Sequence, residues 1–183
     1  MLKKVLYFLS LLLVASCGSK KRTYSKSKPK PIIVSVEGSA EEVAPPKESK
    51  KEKRKNTKAK VIVSTALKYS GTRYKYGGTT KKGMDCSGLI FVSLKENDIL
   101  FPRVSYQMAE KGKRIKLTQV QKGDLLYFKT SKRGKRINHV GLVVDVKGSN
   151  IKFIHSTTSR GVIVSSLREG YWNHAFVKAM RIL

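Results

Sequence analysis

The stretch "KGMDCSGLIFVSL", Lys82 to Leu94, is where a glycine-punctuated loop turns into an apolar run, with Cys86 between Asp85 and Ser87 at the junction. Asp85 suits the cap of a helix, because a short carboxylate on extended backbone accepts from the free N–H groups of the first turn. Leu89, Ile90, Val92 and Leu94 then recur at helical spacing to about Asn97. Cys86 thus falls in a first turn, where unpaired N–H groups and the positive end of the helix dipole lower a thiol pKa. Asp85 pushes the other way, so a reactive Cys86 needs a basic partner. Taken alone, it reads as a small buried apolar residue.

The partners are sought among only three histidines. His139 opens the strand-like run "HVGLVVDV" and His155 comes near the end of "IKFIHST". At a period of two, His139 shares a face with Gly141 and Val143, and His155 with Ile151 and Phe153. If Val146-Lys147-Gly148 forms the hairpin loop, with Gly148 in the left-handed conformation, residues 139 and 155 stand directly opposite, with Cβ atoms about 5 Å apart. His139 is then the base for the Cys86 thiol, and His155 holds its ring in the right tautomer and orientation. His174, in "YWNHAF", reads as a packing or surface residue. Neither CxxC nor HExxH spacing occurs, so a zinc site and any other cofactor are not expected.

Around this core the elements fall in order. "VIVSTALKYSG" reads as a helix closing at Gly71, and a short helix is expected over about Ser105 to Glu110, after Pro102. Strand-like runs follow: "DLLYFK" from Asp124, then the two histidine-bearing runs, "GVIVSSL" from Gly161, and "AFVKAMRIL" at the end. Helices first and strands afterwards indicate an α+β fold, with N-terminal helices packed on an antiparallel sheet of about five or six strands.

The N-terminus sets the compartment. "MLKKVLYFLSLLLVASCGSKK" has a charged start, an apolar stretch too short to span a bilayer comfortably, and small residues before Cys17. This resembles a bacterial lipoprotein signal, in which the cysteine is acylated and becomes the new N-terminus. Residues 1–16 are therefore expected to be a signal peptide, 17–56 a lipidated anchor and disordered basic tether, and 57–183 the folded domain. With Cys17 acylated, Cys86 is the one remaining thiol. The tether composition, rich in Lys, Ser, Pro and Glu, runs on to Lys60 and cannot bury enough surface to offset its ordering entropy. As a flexible coil it spans roughly 36 Å, suiting a domain that works at a distance from its membrane. Gly18 after the anchor, in place of Asp, favours the periplasmic face of an outer membrane over an inner one.

A formal charge of +27, from 39 Lys and Arg against 12 Asp and Glu, would ordinarily suggest nucleic acid. An exported lipoprotein meets anionic headgroups and wall carboxylates instead, and no nucleic-acid partner is expected.

In sequence order, "YKYGGTTKKGMDCSGLIFVSL", "QKGDLLYF", "INHVGLVV" and "FIHSTTSRGV" resemble the blocks of the NlpC family of bacterial cell-wall cysteine peptidases, a likeness that runs from about Thr57 to Leu183. The resemblance implies a papain-like fold, with Cys86 as nucleophile, His139 as base and His155 as the third polar member. It also implies substrate-binding roles for Tyr74, which would help polarise the scissile carbonyl, and for Asp85 and Ser87, which would recognise the free amino end of a wall peptide. The implied reaction is hydrolysis of an amide in peptidoglycan stem peptides, at a D-glutamyl–diamino acid bond or a peptide crosslink, during growth, remodelling or division. An inactive wall-binding scaffold and an acyl transferase on the same dyad are the competing readings. A monomer is expected, with peptidoglycan peptides and the membrane as partners and a regulatory envelope protein as a further candidate.

Overall fold

A computed structural model describes residues 49–131 and 134–183. The signal segment, Cys17 and most of the expected tether lie outside the described residues.

Helix α1 (Lys50–Leu67) begins earlier than the apolar pattern from Val61 indicates. Ser49 caps it by accepting from the Glu52 N–H, and Glu52 places a carboxylate in the first turn, next to the positive end of the helix dipole. Lysine and arginine are good helix formers, so the basic run continues the helix instead of breaking it. Ala59, Ile62, Val63 and Ala66, at spacings of three and four, form its buried stripe. The helical turns give out before Gly71, whose φ of +79° is left-handed.

A small hairpin, β1 (Thr79–Thr80) with β2 (Gly83–Met84), then delivers the chain to α2 (Cys86–Lys95). Asp85 caps α2 as expected, accepting from the Gly88 N–H. After α3 (Ser105–Met108) come β3 (Lys113–Ile115), β4 (Leu125–Phe128), β5 (His139–Lys147), β6 (Asn150–Thr157), β7 (Gly161–Ser166), α4 (Gly170–Ala175) and β8 (Phe176–Arg181). β3 to β8 form one antiparallel six-stranded sheet in the order β3-β8-β4-β5-β6-β7. The α+β fold is the one expected. The short β3 and α4 were not.

Both faces of the sheet are covered. Leu125, Tyr127, Val140, Leu142 and Ile154 pack with Ile62, Ala66, Leu89, Ile90 and Leu94 of the two long helices. Leu126, Phe128, Val143, Ile151 and Phe153 face the other way, under Trp172 and Ala175 of α4.

The hairpin register differs from the expected one. The loop is Gly148-Ser149, with Lys147 opposite Asn150, and Gly148 does adopt a left-handed φ of +56°. That loop alone would set His155 against Leu142, leaving His139 on the opposite face. A bulge intervenes: Asp145 pairs with Lys152 but Val143 with Phe153, so Val144 is one extra residue in β5. Because side chains alternate, one inserted residue exchanges the faces. Beyond the bulge Leu142 opposes Ile154, and continuing that register sets Gly141 against His155. His139 is then the diagonal neighbour of His155, two residues along on the same face and still within reach of an imidazole. The expected shared face is correct; the direct opposition is corrected to a diagonal.

Gly141 makes the diagonal possible. A Cβ there would lie 2.4 Å from Phe153 Cδ2 and 3.3 Å from the Ile154 carbonyl oxygen. Gly141→Ala should therefore displace the Phe153 ring and lower stability by about 1–3 kcal/mol, as overpacking does, read as a lower denaturant midpoint at unchanged m.

Candidate active site

The N-terminus of α2 and the start of β5 bring the candidate residues together. Cys86 and His139 line one cavity of about 450 Å³, together with Tyr74, Asn138 and Trp172. Cys86 Sγ lies 4.0 Å from the carbonyl oxygen of Asn138, the residue before His139. His139 Nε2 and His155 Nδ1 are 2.9 Å apart, and both rings are buried. With His139 Nε2 engaged, its Nδ1 is the nitrogen left for a proton from another group. A second hollow of about 610 Å³ shares Tyr74, Cys86 and Asn138 and extends past Asp85, Ser87, Arg103, Tyr106 and Arg136. Cys86 thus stands where two arms of a cleft meet. A hollow of similar size, about 630 Å³, lies among α1 lysines, Ile99 and Leu183 but contains no nucleophile or base.

The neighbouring polar residues are interlocked. The Asp85 carboxylate accepts from the Gly88 N–H (2.6 Å), the Ser87 hydroxyl (3.3 Å), the Gly77 N–H (2.7 Å) and the Arg103 guanidinium (2.9 Å). Arg103 also donates to the Ser87 oxygen at 2.8 Å. The acceptor capacity of Asp85 is therefore used up, and its charge is balanced by a salt bridge. A further donor can join it only by exchanging with one of these partners, of which Ser87 and Arg103 are side chains. Arg103 has no signature in sequence; "FPRVS" shows only a turn. On the other side of the thiol, Thr130 clamps the Asn138 side chain at both ends, fixing the start of β5. From β6, the Ser156 hydroxyl donates to the Met84 carbonyl at 2.7 Å, two residues before Cys86. His174 is exposed, bonded to the Gly170 carbonyl, and does not join the cluster.

Burial governs the titrations. It pushes the Cys86 thiol above 9, with the Asp85 charge adding to the shift, while N–H groups of Val140, Ser87 and Cys86 itself act against it. It lowers His139 from 6.5 to about 4. His155 falls to about 3, through burial, then the His139 and Arg160 charges. Both shifts favour the neutral forms, a thiol on Cys86 and an uncharged imidazole on His139. Among the described residues, no three His, Cys, Asp or Glu side chains are grouped so as to hold a metal ion.

A thiol at a helix start, sharing a cavity with a strand-borne imidazole, on helices packed against an antiparallel sheet, is the papain-like arrangement. Within that class the NlpC/P60 family profile matches residues 71–181, and the chain belongs to this family. The murein DD-endopeptidase MepS/murein LD-carboxypeptidase of Escherichia coli K12 is 37% identical over 123 residues, covering 67% of this chain and 62% of that relative. The probable endopeptidase NlpC of the same organism is 41% identical over 115 residues, covering 62% of this chain and 71% of the relative. The chain thus spans less than two thirds of MepS. The crystal structure of an NlpC/P60 family protein from Bacillus cereus superposes with a TM-score of 0.62 at 28% identity, over 68% of this chain and 40% of that one.

Two measurements check the electrostatics. Alkylation of Cys86 by iodoacetamide in the protein alone should keep rising with pH, without a plateau below pH 9; a plateau near neutrality would mean a preformed thiolate. Because the unfolded chain takes up imidazole protons at 6.5 and the folded one only near 4 and 3, the unfolded state binds more protons between these values. Stability should therefore fall as pH drops from about 6.5 towards 4, and His155→Gln should flatten part of that decline in denaturant titrations.

Proposed function

We propose that this chain is a thiol hydrolase of peptidoglycan stem peptides. The observation that carries the proposal is the shared cavity of Cys86 and His139, with His139 bonded at 2.9 Å to His155. In this reading the thiol proton passes to His139 Nδ1 as sulfur attacks the scissile carbonyl. The departing amine takes that proton, leaving a thioester on Cys86, and His139 then deprotonates the water that releases the acyl group. His155 holds His139 in place. N–H groups at the start of α2 point where the oxyanion forms, and Tyr74, on the rim of both arms, adds a hydroxyl there.

Asp85 and Ser87 form the polar wall of the larger arm and receive the amino end of the wall peptide, Arg103 yielding its place on the carboxylate. The bond is a D-glutamyl–diamino acid amide or a peptide crosslink. The crosslink accords with the relative named as a murein DD-endopeptidase, while the name of the other, a probable endopeptidase, specifies no bond. In this reading the enzyme works in the envelope, anchored through Cys17, which the lipoprotein-like start supports and for which Gly18 favours the outer membrane.

Purified sacculi incubated with the wild-type chain should release soluble fragments, whose masses identify the bond; Cys86→Ala should release none while remaining folded. Identical behaviour of the two would indicate a wall-binding scaffold, and altered mass without fragmentation an acyl transfer. His139→Ala should approach the Cys86→Ala loss. His155→Ala should cost about ten- to a hundredfold less than His139→Ala, since it removes orientation and leaves the base.

A further inference from the structure

His155 poses a problem of proton accounting. One of its ring nitrogens, Nδ1, shares a proton with His139 Nε2. The other, Nε2, is buried and has no hydrogen-bond partner. Two arrangements are available to the pair. In one, His139 Nε2–H donates to His155 Nδ1, so His139 Nδ1 is bare and able to act as a base, and His155 carries its proton on Nε2. In the other, His155 Nδ1–H donates to His139 Nε2, so His139 carries its proton on Nδ1 and cannot accept one from a thiol. The histidine–histidine bond has the same length in both and does not choose between them.

The surroundings of the pair are aromatic. Trp172 of α4 is 5% exposed and touches both rings. It stacks on His139 with centroids 5.1 Å apart and planes 24° from parallel. It meets His155 at 4.4 Å and 79°, edge to face. Phe153 packs on His155 from 4.7 Å, while Phe128 and Phe153 hold the indole from 5.3 and 5.7 Å. An aromatic face is electron-rich: it attracts an N–H or a cation and repels a lone pair.

We infer that Trp172 is a positioning residue that selects the working tautomer of the imidazole pair, favouring a proton on His155 Nε2 and thereby leaving His139 Nδ1 bare. The same indole, stacked on His139, stabilises the imidazolium that forms when the thiol is deprotonated. This role presupposes the hydrolase reading only for its effect on rate; the tautomer is a property of the protein alone.

The test therefore has two arms. Nitrogen-15 NMR of the imidazoles in the full chain reads the tautomers directly: the wild type should show protonated Nε2 and bare Nδ1 on His139, and protonated Nε2 on His155. A bare Nε2 on His155 in the wild type overturns the inference without any variant. Trp172→Leu should give mixed tautomers on both histidines, and Trp172→Phe, which keeps an aromatic face, should retain most of the wild-type pattern. In the kinetic arm, Trp172→Leu should lower kcat on sacculi about ten- to a hundredfold, at nearly unchanged KM, with Trp172→Phe recovering most of the loss. Wild-type tautomers persisting in folded Trp172→Leu would also overturn the inference. If that variant fails to fold, the wild-type spectrum and Trp172→Phe decide. Should the wild type release no wall fragments while the tautomers respond to Trp172→Leu, the hydrolase reading fails and the inference stands.

Discussion

The bond between His139 and His155 depends on a single surplus residue. Val144, bulged out of β5, is what turns His139 to the face that His155 occupies. A perfectly regular hairpin with the same Gly148-Ser149 turn would put the two rings on opposite sides of the sheet. Gly141 completes the arrangement by leaving empty the position into which Phe153 leans. The imidazole pair is therefore a property of strand pairing, and its geometry is set by the backbone register of β5 on β6. This is a sturdier foundation than a loop would supply.

The polar side of the cleft rests on another principle. Asp85 serves as helix cap, as partner of Arg103 and as acceptor for the Gly77 N–H that closes the preceding loop. One carboxylate thus joins the loop, the helix carrying the thiol, and the segment after Pro102. Removing it would leave Arg103 without a carboxylate, held only by the Ser87 hydroxyl and the Gly78 carbonyl. The proximity of Asp85 raises the thiol pKa, so the local structure and the local chemistry pull in opposite directions, and burial adds to the same effect.

Much of this was legible in the sequence because it is written in local patterns. The Asp85 cap, the apolar face of α2 and the period-two strands each announce themselves within a few residues, whereas the shared face of His139 and His155 was expected from a Val146-Lys147-Gly148 loop and arises instead from a Gly148-Ser149 loop combined with a bulge. The register did not announce itself, since a bulge at Val144, an ordinary valine between Val143 and Asp145, has no sequence mark, and the expected direct opposition survives only as a diagonal. α1 reached back to Lys50 because lysines favour helix even where no apolar stripe signals one. Arg103 and Trp172 escaped notice for a related reason. Both act through contacts far along the chain, Arg103 across 18 residues to Asp85 and Trp172 onto two separate strands. The three-residue β3 and six-residue α4 are too short to display a period.

The hydroxyl of Ser156 gripping the Met84 carbonyl has a mechanical meaning. Adjacent residues of β6 project to opposite sides, so one strand carries His155 on one side and grips the approach to Cys86 on the other. The thickness of the sheet becomes the gauge that spaces sulfur from imidazole. Through that one strand, the backbone leading into α2 and the imidazole pair are referred to the same frame.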